Sequence, residues 1–299
     1  MNEKAFRSGF VTLCGRSNVG KSTLVNALVG EKVAIVSPRA QTTRSNLRGV
    51  VTREGYQMVL IDTPGLHTAR TKLGEYMMAE ASAALSQVEA IIFVVDAVTG
   101  FRDGDKKILE SLENSDAPVF VAVNKIDAAH KTSVARVCEA LCAYPFVKQV
   151  VPISAKSGVG VEELEQLVAE TLPEGPQYFP DDMVTDQPER VIIAELIREK
   201  ALYRLRDEVP HGIGVEIIRM QKRADGVMEI YANILCERAS HKGIIIGKGG
   251  AMLKEIGIAA RQDIELLLGE KVDLRLWIKV QSDWRNRAAV LRELGYREE

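Results

Sequence analysis

Four short polar clusters in this chain have the residue types and spacing to hold a phosphorylated ligand. The first is Gly15-Arg16-Ser17-Asn18-Val19-Gly20-Lys21-Ser22, a G-x-x-x-x-G-K-S loop set between the apolar stretch 9–14 and the stretch 23–29. Glycines let the backbone curl so that successive N–H groups point into one concavity at a helix N-terminus, a nest for phosphate oxygens. In that nest Lys21 would reach the β- and γ-phosphates, and the Ser22 hydroxyl would hold Mg²⁺. A chance match in a strand-to-helix turn is the alternative, and the flanking strand and helix weigh against it.

The second cluster, Asp62-Thr63-Pro64-Gly65, ends an apolar strand predicted over 57–61. An acid there suits Mg²⁺ bound through water, and the glycine N–H suits a γ-phosphate. D-x-x-G alone is an ordinary turn; it gains weight forty residues after a phosphate loop. The third, Asn124-Lys125-Ile126-Asp127, follows a buried strand predicted over 119–123. Asp127 can accept from the N1 and N2 donors of guanine, a pattern adenine lacks, and a site built to pair with such donors rejects the analogue strongly. Asn124 would tie this loop to the phosphate loop, and the Lys125 stem would lie along the base. Ile126 completes the turn. The fourth, Ser154-Ala155-Lys156, follows a strand over 149–153 and offers the Ala155 N–H to guanine O6.

The elements that must position these clusters follow from periodicity. Residues 90–96 are apolar on both faces, as central parallel strands are. Residues 48–52 and 57–61 read as strands joined at Glu54-Gly55; residues 73–88, 105–113 and 161–172 read as helices. Every motif falls just past the C-terminal end of a strand, the edge along which open α/β sheets bind ligands. In their order these residues resemble the P-loop GTPases, over roughly residues 5–172. The resemblance implies an α/β domain with a mostly parallel sheet, GTP and GDP as ligands, and Mg²⁺ held by Ser22, Asp62 and a switch threonine. Thr43 is the expected threonine, since Thr43-Arg44 sits where related GTPases have a T-R pair; Thr42 is the runner-up. Lys21, Thr43 and Gly65 are the residues expected to act on the γ-phosphate. Leu66 stands where Ras-type GTPases carry a water-orienting Gln, and an apolar side chain cannot hold water. Two candidates replace it: K⁺ bound through Asn18, and His67.

Composition excludes several classes. Among 299 residues, Lys and Arg (39) nearly balance Asp and Glu (41), so any nucleic-acid surface must be local. The cysteines at 14, 138, 142 and 236 form no C-x-x-C pair and read as free thiols of a reducing cytosol. No signal-peptide core and no apolar run of membrane-spanning length stands out.

Beyond Leu172, Pro173, Pro176 and Pro180 break all periodicity, so residues 173–188 are expected to link a first domain (1–172) to a second (189–299). In the second, a helix over 189–206, strands over 213–220 and 227–235, a further helix and a strand over 272–280 frame the loop Gly247-Lys248-Gly249-Gly250. This resembles the G-x-x-G loop of KH domains, a smaller α+β fold that clamps about four single-stranded nucleotides. Its late position suits the type II arrangement. Arg238, His241, Lys242, Lys248 and Lys254 form a local basic cluster; bare backbone at Gly247, Gly249 and Gly250 would let the sugar-phosphate chain approach, and the apolar platform ending at Ile246 would pack bases. A final helix over 284–294, with Arg285, Arg287 and Arg292, reads as an RNA contact or a solvated face.

The pairing of these domains resembles the bacterial ribosome-assembly GTPases. The resemblance implies a cytoplasmic monomer that binds 16S rRNA near its 3′ end in the assembling small ribosomal subunit, with peripheral inner-membrane association. Two other classes remain. A metabolic NTP-dependent transferase conflicts with N-K-x-D, and an RNA-binding module with a degenerate nucleotide site conflicts with intact Lys21, Ser22, Asp62, Asn124 and Asp127.

Overall fold

The computed structural model describes residues 5–37, 39, 42–44, 47–63, 71–85, 88–206 and 209–296. The chain divides into two compact units, one of residues 1–36, 43–68 and 77–186, the other of 37–42, 69–76 and 187–299.

The first unit is a six-stranded sheet in the order β2-β3-β1-β4-β5-β6. Its strands are β1 (Arg7–Cys14), β2 (Leu47–Arg53), β3 (Tyr56–Asp62), β4 (Ala90–Asp96), β5 (Val119–Asn124) and β6 (Val147–Pro152). Only β2 runs antiparallel, paired with β3 across the Glu54-Gly55 turn. The helices α1 (Lys21–Val29), α2 (Lys72–Ala83), α3 (Asp103–Glu110), α4 (Lys131–Cys142) and α5 (Val161–Ala169) complete the unit's chain, with the start of α2 counted in the second unit. Every residue of β4 is buried. Ile92 and Val94 join the core beneath α1 and α5; Ile91, Phe93 and Val95 join the core beneath α3 and α4. A strand covered on both faces reads as a near-continuous apolar run, here residues 90–95 before the terminal Asp96. β1 lies between β3 and β4, so the chain leaves its C-terminal end at the point where strand order reverses.

Several boundaries differ from expectation. α2 ends at Ala83, not Val88, because the Glu89 N–H must meet the Phe10 carbonyl at 2.9 Å and draw the chain into β4. α3 begins two residues early, at Asp103, under a capping box in which Asp105 accepts the Arg102 N–H at 3.0 Å. The helix α4 lies between the motifs, with Val137 and Leu141 buried at i, i+4 spacing. The proline-rich connector is bound to the first unit. Buried Gln57 accepts from the Tyr178 and Phe179 N–H groups at 2.8 and 3.0 Å and donates to the Phe179 carbonyl at 2.9 Å. The Val50 N–H donates to the Val184 carbonyl at 2.9 Å. The unit therefore runs to Asp186, beyond the Leu172 expected for its end.

The second unit holds α6 (Glu189–Arg204), β7 (Gly214–Lys222), β8 (Met228–Cys236), α7 (Ala239–Ile246), α8 (Ala251–Leu268), β9 (Val272–Val280) and α9 (Ala288–Glu293). The sheet order is β7-β8-β9, with β8 and β9 parallel. The helix expected over 284–294 is split into a 3₁₀ turn at Trp284–Asn286 and α9. Trp284 causes the break: it is fully buried and donates from its ring N–H to the Gly212 carbonyl at 2.9 Å. Thr42 and Arg39 pack in this unit: Arg198 donates to the Thr42 carbonyl, and Arg39 donates to the Leu205 carbonyl at 3.0 Å.

Candidate functional site

The phosphate loop leaves β1 at Gly15 and enters α1 at Lys21. Gly20 has φ 102°, and a Cβ there would lie 2.3 Å from Asn124 Nδ2, so only glycine lets the loop close against the Asn124 side chain. Lys21 is buried, and its ammonium donates to the Gly15 and Arg16 carbonyls at 3.1 and 3.0 Å, looping over the nest it would share with a phosphate. Burial pulls the Lys21 pKa below its usual value, against the opposing pull of Asp62. Ser17 and Val19 complete the loop, with Val19 in the core beneath it.

Around Asp62, three residues from separate segments converge. Ser22 donates to Asp62 Oδ2 at 2.6 Å, Thr43 donates to the same oxygen at 3.1 Å, and the two hydroxyls lie 3.0 Å apart. Thr42, the runner-up, instead donates to the Arg39 carbonyl at 2.7 Å. Asp62 is fully buried, and its Oδ1 has no hydrogen-bond partner among the described residues. Burial raises its pKa, opposed by Lys21 and the two hydroxyls. A buried carboxylate oxygen left without a partner, beside two hydroxyls, is an all-oxygen set that fits a hard divalent cation such as Mg²⁺. Ser22, Thr43 and Asp62 would hold it. The Thr63 hydroxyl points elsewhere, to the Leu13 carbonyl at 2.8 Å. Pro64, Gly65, Leu66 and His67 lie outside the described residues.

The loop 124–127, expected to meet the base, is bound to both neighbours. Asn124 donates to the Val19 carbonyl at 2.9 Å, and its Oδ1 accepts the Lys125 and Ala155 N–H groups at 2.8 and 2.9 Å. The Ala155 N–H, expected at guanine O6, is thus directed at Asn124. Asp127 is exposed, and its Oδ1 accepts from the buried Ser154 hydroxyl at 2.7 Å, which leaves the carboxylate oriented by the fourth motif. The Lys156 side chain is exposed at the rim, and Ile126 is half-buried.

In the second unit the G-x-x-G loop joins α7 to α8. Gly247 has φ 72°, and a Cβ there would lie 2.7 Å from Met252 Cβ, so the tight turn requires glycine. Lys242, Lys248, Gly249 and Lys254 are exposed around it; Ile246 and Gly250 are half-buried, and Ile245 is core. Beside the loop runs a groove of about 370 Å³ lined by Gly250, Leu253, Lys254, Gly257, Ile258, Arg261, Leu274 and Leu276. Its apolar floor comes from α8 and β9. Arg261 was not among the expected contacts, although its i+7 spacing from Lys254 places both on one helical face. Arg285 is held by Glu237 at 3.0 and 2.7 Å.

Residues 10–125 match the family model described as 50S ribosome-binding GTPase, and residues 208–285 match the KH domain model. The chain is 50% identical over 293 residues to GTPase Era of Clostridium novyi, covering 98% of this chain and 100% of that one. It is 51% identical over 294 residues to GTPase Era of Clostridium tetani, again covering 98% and 100%. Two solved structures superpose with TM-score 0.92 and 40% identity, each covering 97% of this chain and 99% of theirs. One is an Aquifex aeolicus Era variant bound to GDP and aluminium fluoride; the other is Era with MgGDPNP and nucleotides 1506–1542 of 16S ribosomal RNA.

Proposed function

The chain belongs to the Era family of GTPases, and from that premise we propose that it is a GTP-controlled switch that grips the 3′ region of 16S rRNA through its KH unit during small-subunit assembly. It hydrolyses GTP to GDP and phosphate. The observation that carries the switch is the convergence of Ser22, Thr43 and Asp62, since Thr43 comes from the polar stretch between α1 and β2. Mg²⁺, when bound, supplies charge against the β- and γ-phosphates. Ser22 and Asp62 hold their oxygens ready for it, Lys21 neutralises the phosphates, and the loop N–H groups orient them. Thr43 is ordered while GTP is present and released after hydrolysis.

RNA enters the groove between α8 and β9. Bare backbone at Gly247, Gly249 and Gly250 admits the sugar-phosphate chain, while Leu253, Ile258, Leu274 and Leu276 offer an apolar floor to bases. Lys242, Lys248, Lys254 and Arg261 supply the local positive charge that the balanced net charge conceals. K⁺ held beside Asn18 contributes charge to the hydrolysis step; equal turnover in Na⁺ and K⁺ would remove that part of the reading. A monomeric state and peripheral attachment to the inner membrane complete it, tested by sedimentation and by flotation with vesicles. No helix among the described residues is long and apolar enough to cross a membrane.

The deciding experiment is titration of single-stranded 16S 3′-end RNA with the protein loaded with GDP or a non-hydrolysable GTP analogue. Tighter binding in the GTP state is expected. Equal affinities would leave no coupling for the switch to use, and absence of RNA binding would remove the RNA reading.

A further inference from the structure

The stretch from the end of β4 into the start of α3, residues 96–105, carries none of the nucleotide motifs, yet both the phosphate loop and the loop 124–127 are fastened to it. Asp96, the last residue of β4, is buried and lies opposite Asn124 in the sheet. Its Oδ1 accepts the Val98 and Thr99 N–H groups at 2.8 and 3.2 Å, closing a turn. Its Oδ2 accepts from the Lys125 ammonium at 2.7 Å. That ammonium also donates to the Asn18 carbonyl at 2.7 Å. Asn18 and Lys125 both hold left-handed backbone conformations, with φ 67° and 66°. Such conformations in residues other than glycine persist only where surrounding contacts over-determine them. One ammonium, fixed by one buried carboxylate, joins the two loops at their two strained positions.

The same segment also holds the other side of the phosphate loop. Arg16 donates to the fully buried Asp105 at 2.7 Å and reaches the Thr99 hydroxyl at 3.4 Å. Around this turn, therefore, Asp96 and Asp105 face the cations Lys125 and Arg16, one on each flank of the nucleotide nest.

We propose that Asp96 is a positioning residue of the nucleotide site: by holding the Lys125 ammonium it locks residues 124–127 against Asn18 and so sets how long GDP stays bound. A buried turn-capping aspartate needs only its Oδ1 contacts. The second oxygen is aimed at Lys125, and that is the feature a purely structural cap leaves unexplained. Without the carboxylate, the ammonium keeps one protein acceptor and two donors open to water, and both strained positions lose their shared restraint. The inference rests on residues 124–127 being the base loop.

The test is a double-mutant cycle on the rate at which a fluorescent GDP analogue leaves the full-length protein, chased with excess GDP. Asp96→Asn retains an oxygen for the Val98 and Thr99 amides and removes the charge facing Lys125. Release is expected to quicken about tenfold, the size of one charge-assisted hydrogen bond. Lys125→Met should quicken release at least as much, and the double variant should be no faster than Lys125→Met. A merely structural Asp96 would instead lower the melting temperature and leave release unchanged, or add the same factor in both backgrounds; either result overturns the proposal. No effect of Lys125→Met would remove the base-loop reading and the proposal with it. Asp96→Ser, which also keeps an acceptor for the turn, serves the same cycle if Asp96→Asn does not fold.

Discussion

Thr43 Oγ1 lies 3.0 Å from Ser22 Oγ, although 21 residues separate them and they belong to different segments. Both hydroxyls donate to Asp62 Oδ2, whereas the neighbouring Thr42 hydroxyl bonds the Arg39 carbonyl. Thr43→Ala should therefore weaken Mg²⁺-dependent binding of a GTP analogue by roughly 10- to 100-fold, the range of a hydrogen bond to a charged group, with GDP affinity nearly unchanged. Thr42→Ala should change either affinity by less than about threefold, because its partner is a single neutral carbonyl. Fluorescent-nucleotide titrations with and without Mg²⁺ separate the two; equal losses would reassign the switch threonine.

Asn124 joins three loops through one side chain. Asn124→Ala would leave the Val19 carbonyl and the Lys125 and Ala155 N–H groups without their partners. Each such loss costs about 1–3 kcal/mol where the group stays buried, so GDP affinity should fall at least about 100-fold, as measured by calorimetry. Gly20→Ala should reproduce much of this loss from the opposite side, since its Cβ would overlap Asn124 Nδ2 at 2.3 Å.

Asp127 is oriented by Ser154 at 2.7 Å. Asp127→Asn should shift preference from guanine toward xanthine nucleotides, because the amide offers a donor where the carboxylate only accepts. Ser154→Ala should weaken guanine nucleotides by roughly tenfold without changing the base preferred, the effect of losing one hydrogen bond to a charged group. Competition between GDP and XDP reads both outcomes, and an unchanged guanine preference in Asp127→Asn would refute the base assignment.

Trp284 is the buried anchor of the C-terminal segment, with its ring N–H bonded to the Gly212 carbonyl. Trp284→Ala should cost about 3–5 kcal/mol, the range for removing a large aromatic from a core. Trp284→Phe should cost less, because it keeps most of the packing and loses mainly the hydrogen bond. Urea unfolding followed by circular dichroism gives the two values, and the loss should fall on the transition that also abolishes RNA binding.

Cys14 sits fully buried below the phosphate loop, and burial pushes its thiol up to about 12, with Lys21 pulling the other way. At pH 8 the folded protein should therefore hold Cys14 as an unreactive thiol, since only a vanishing fraction is thiolate. The exposed Cys142 should be alkylated first. Mass spectrometry after brief iodoacetamide treatment checks this order; rapid Cys14 labelling in the folded state would contradict the burial.

The sequence by itself determined the local chemistry. A P-loop, an acid at a strand end and an N-K-x-D after a buried strand are contiguous signals, because backbone nests and strand ends are built from neighbouring residues. The same holds for the G-x-x-G loop and for the two-sided apolar run of β4. Contacts between distant residues were decided only by the tertiary structure. The choice of Thr43 over Thr42 depends on which hydroxyl reaches Asp62, and adjacent residues of one type carry no periodicity that could separate them. The fate of the Pro173–Pro180 connector turned on one buried glutamine 121 residues earlier, which no composition rule for linkers can register. The split of the last helix came from Trp284 finding the Gly212 carbonyl, 72 residues away, a tertiary hydrogen bond that overrides helical propensity. Asp96 is the plainest case: within its strand it is only an acid after an apolar run, and its meaning comes from Lys125 and Asn18 being folded against it.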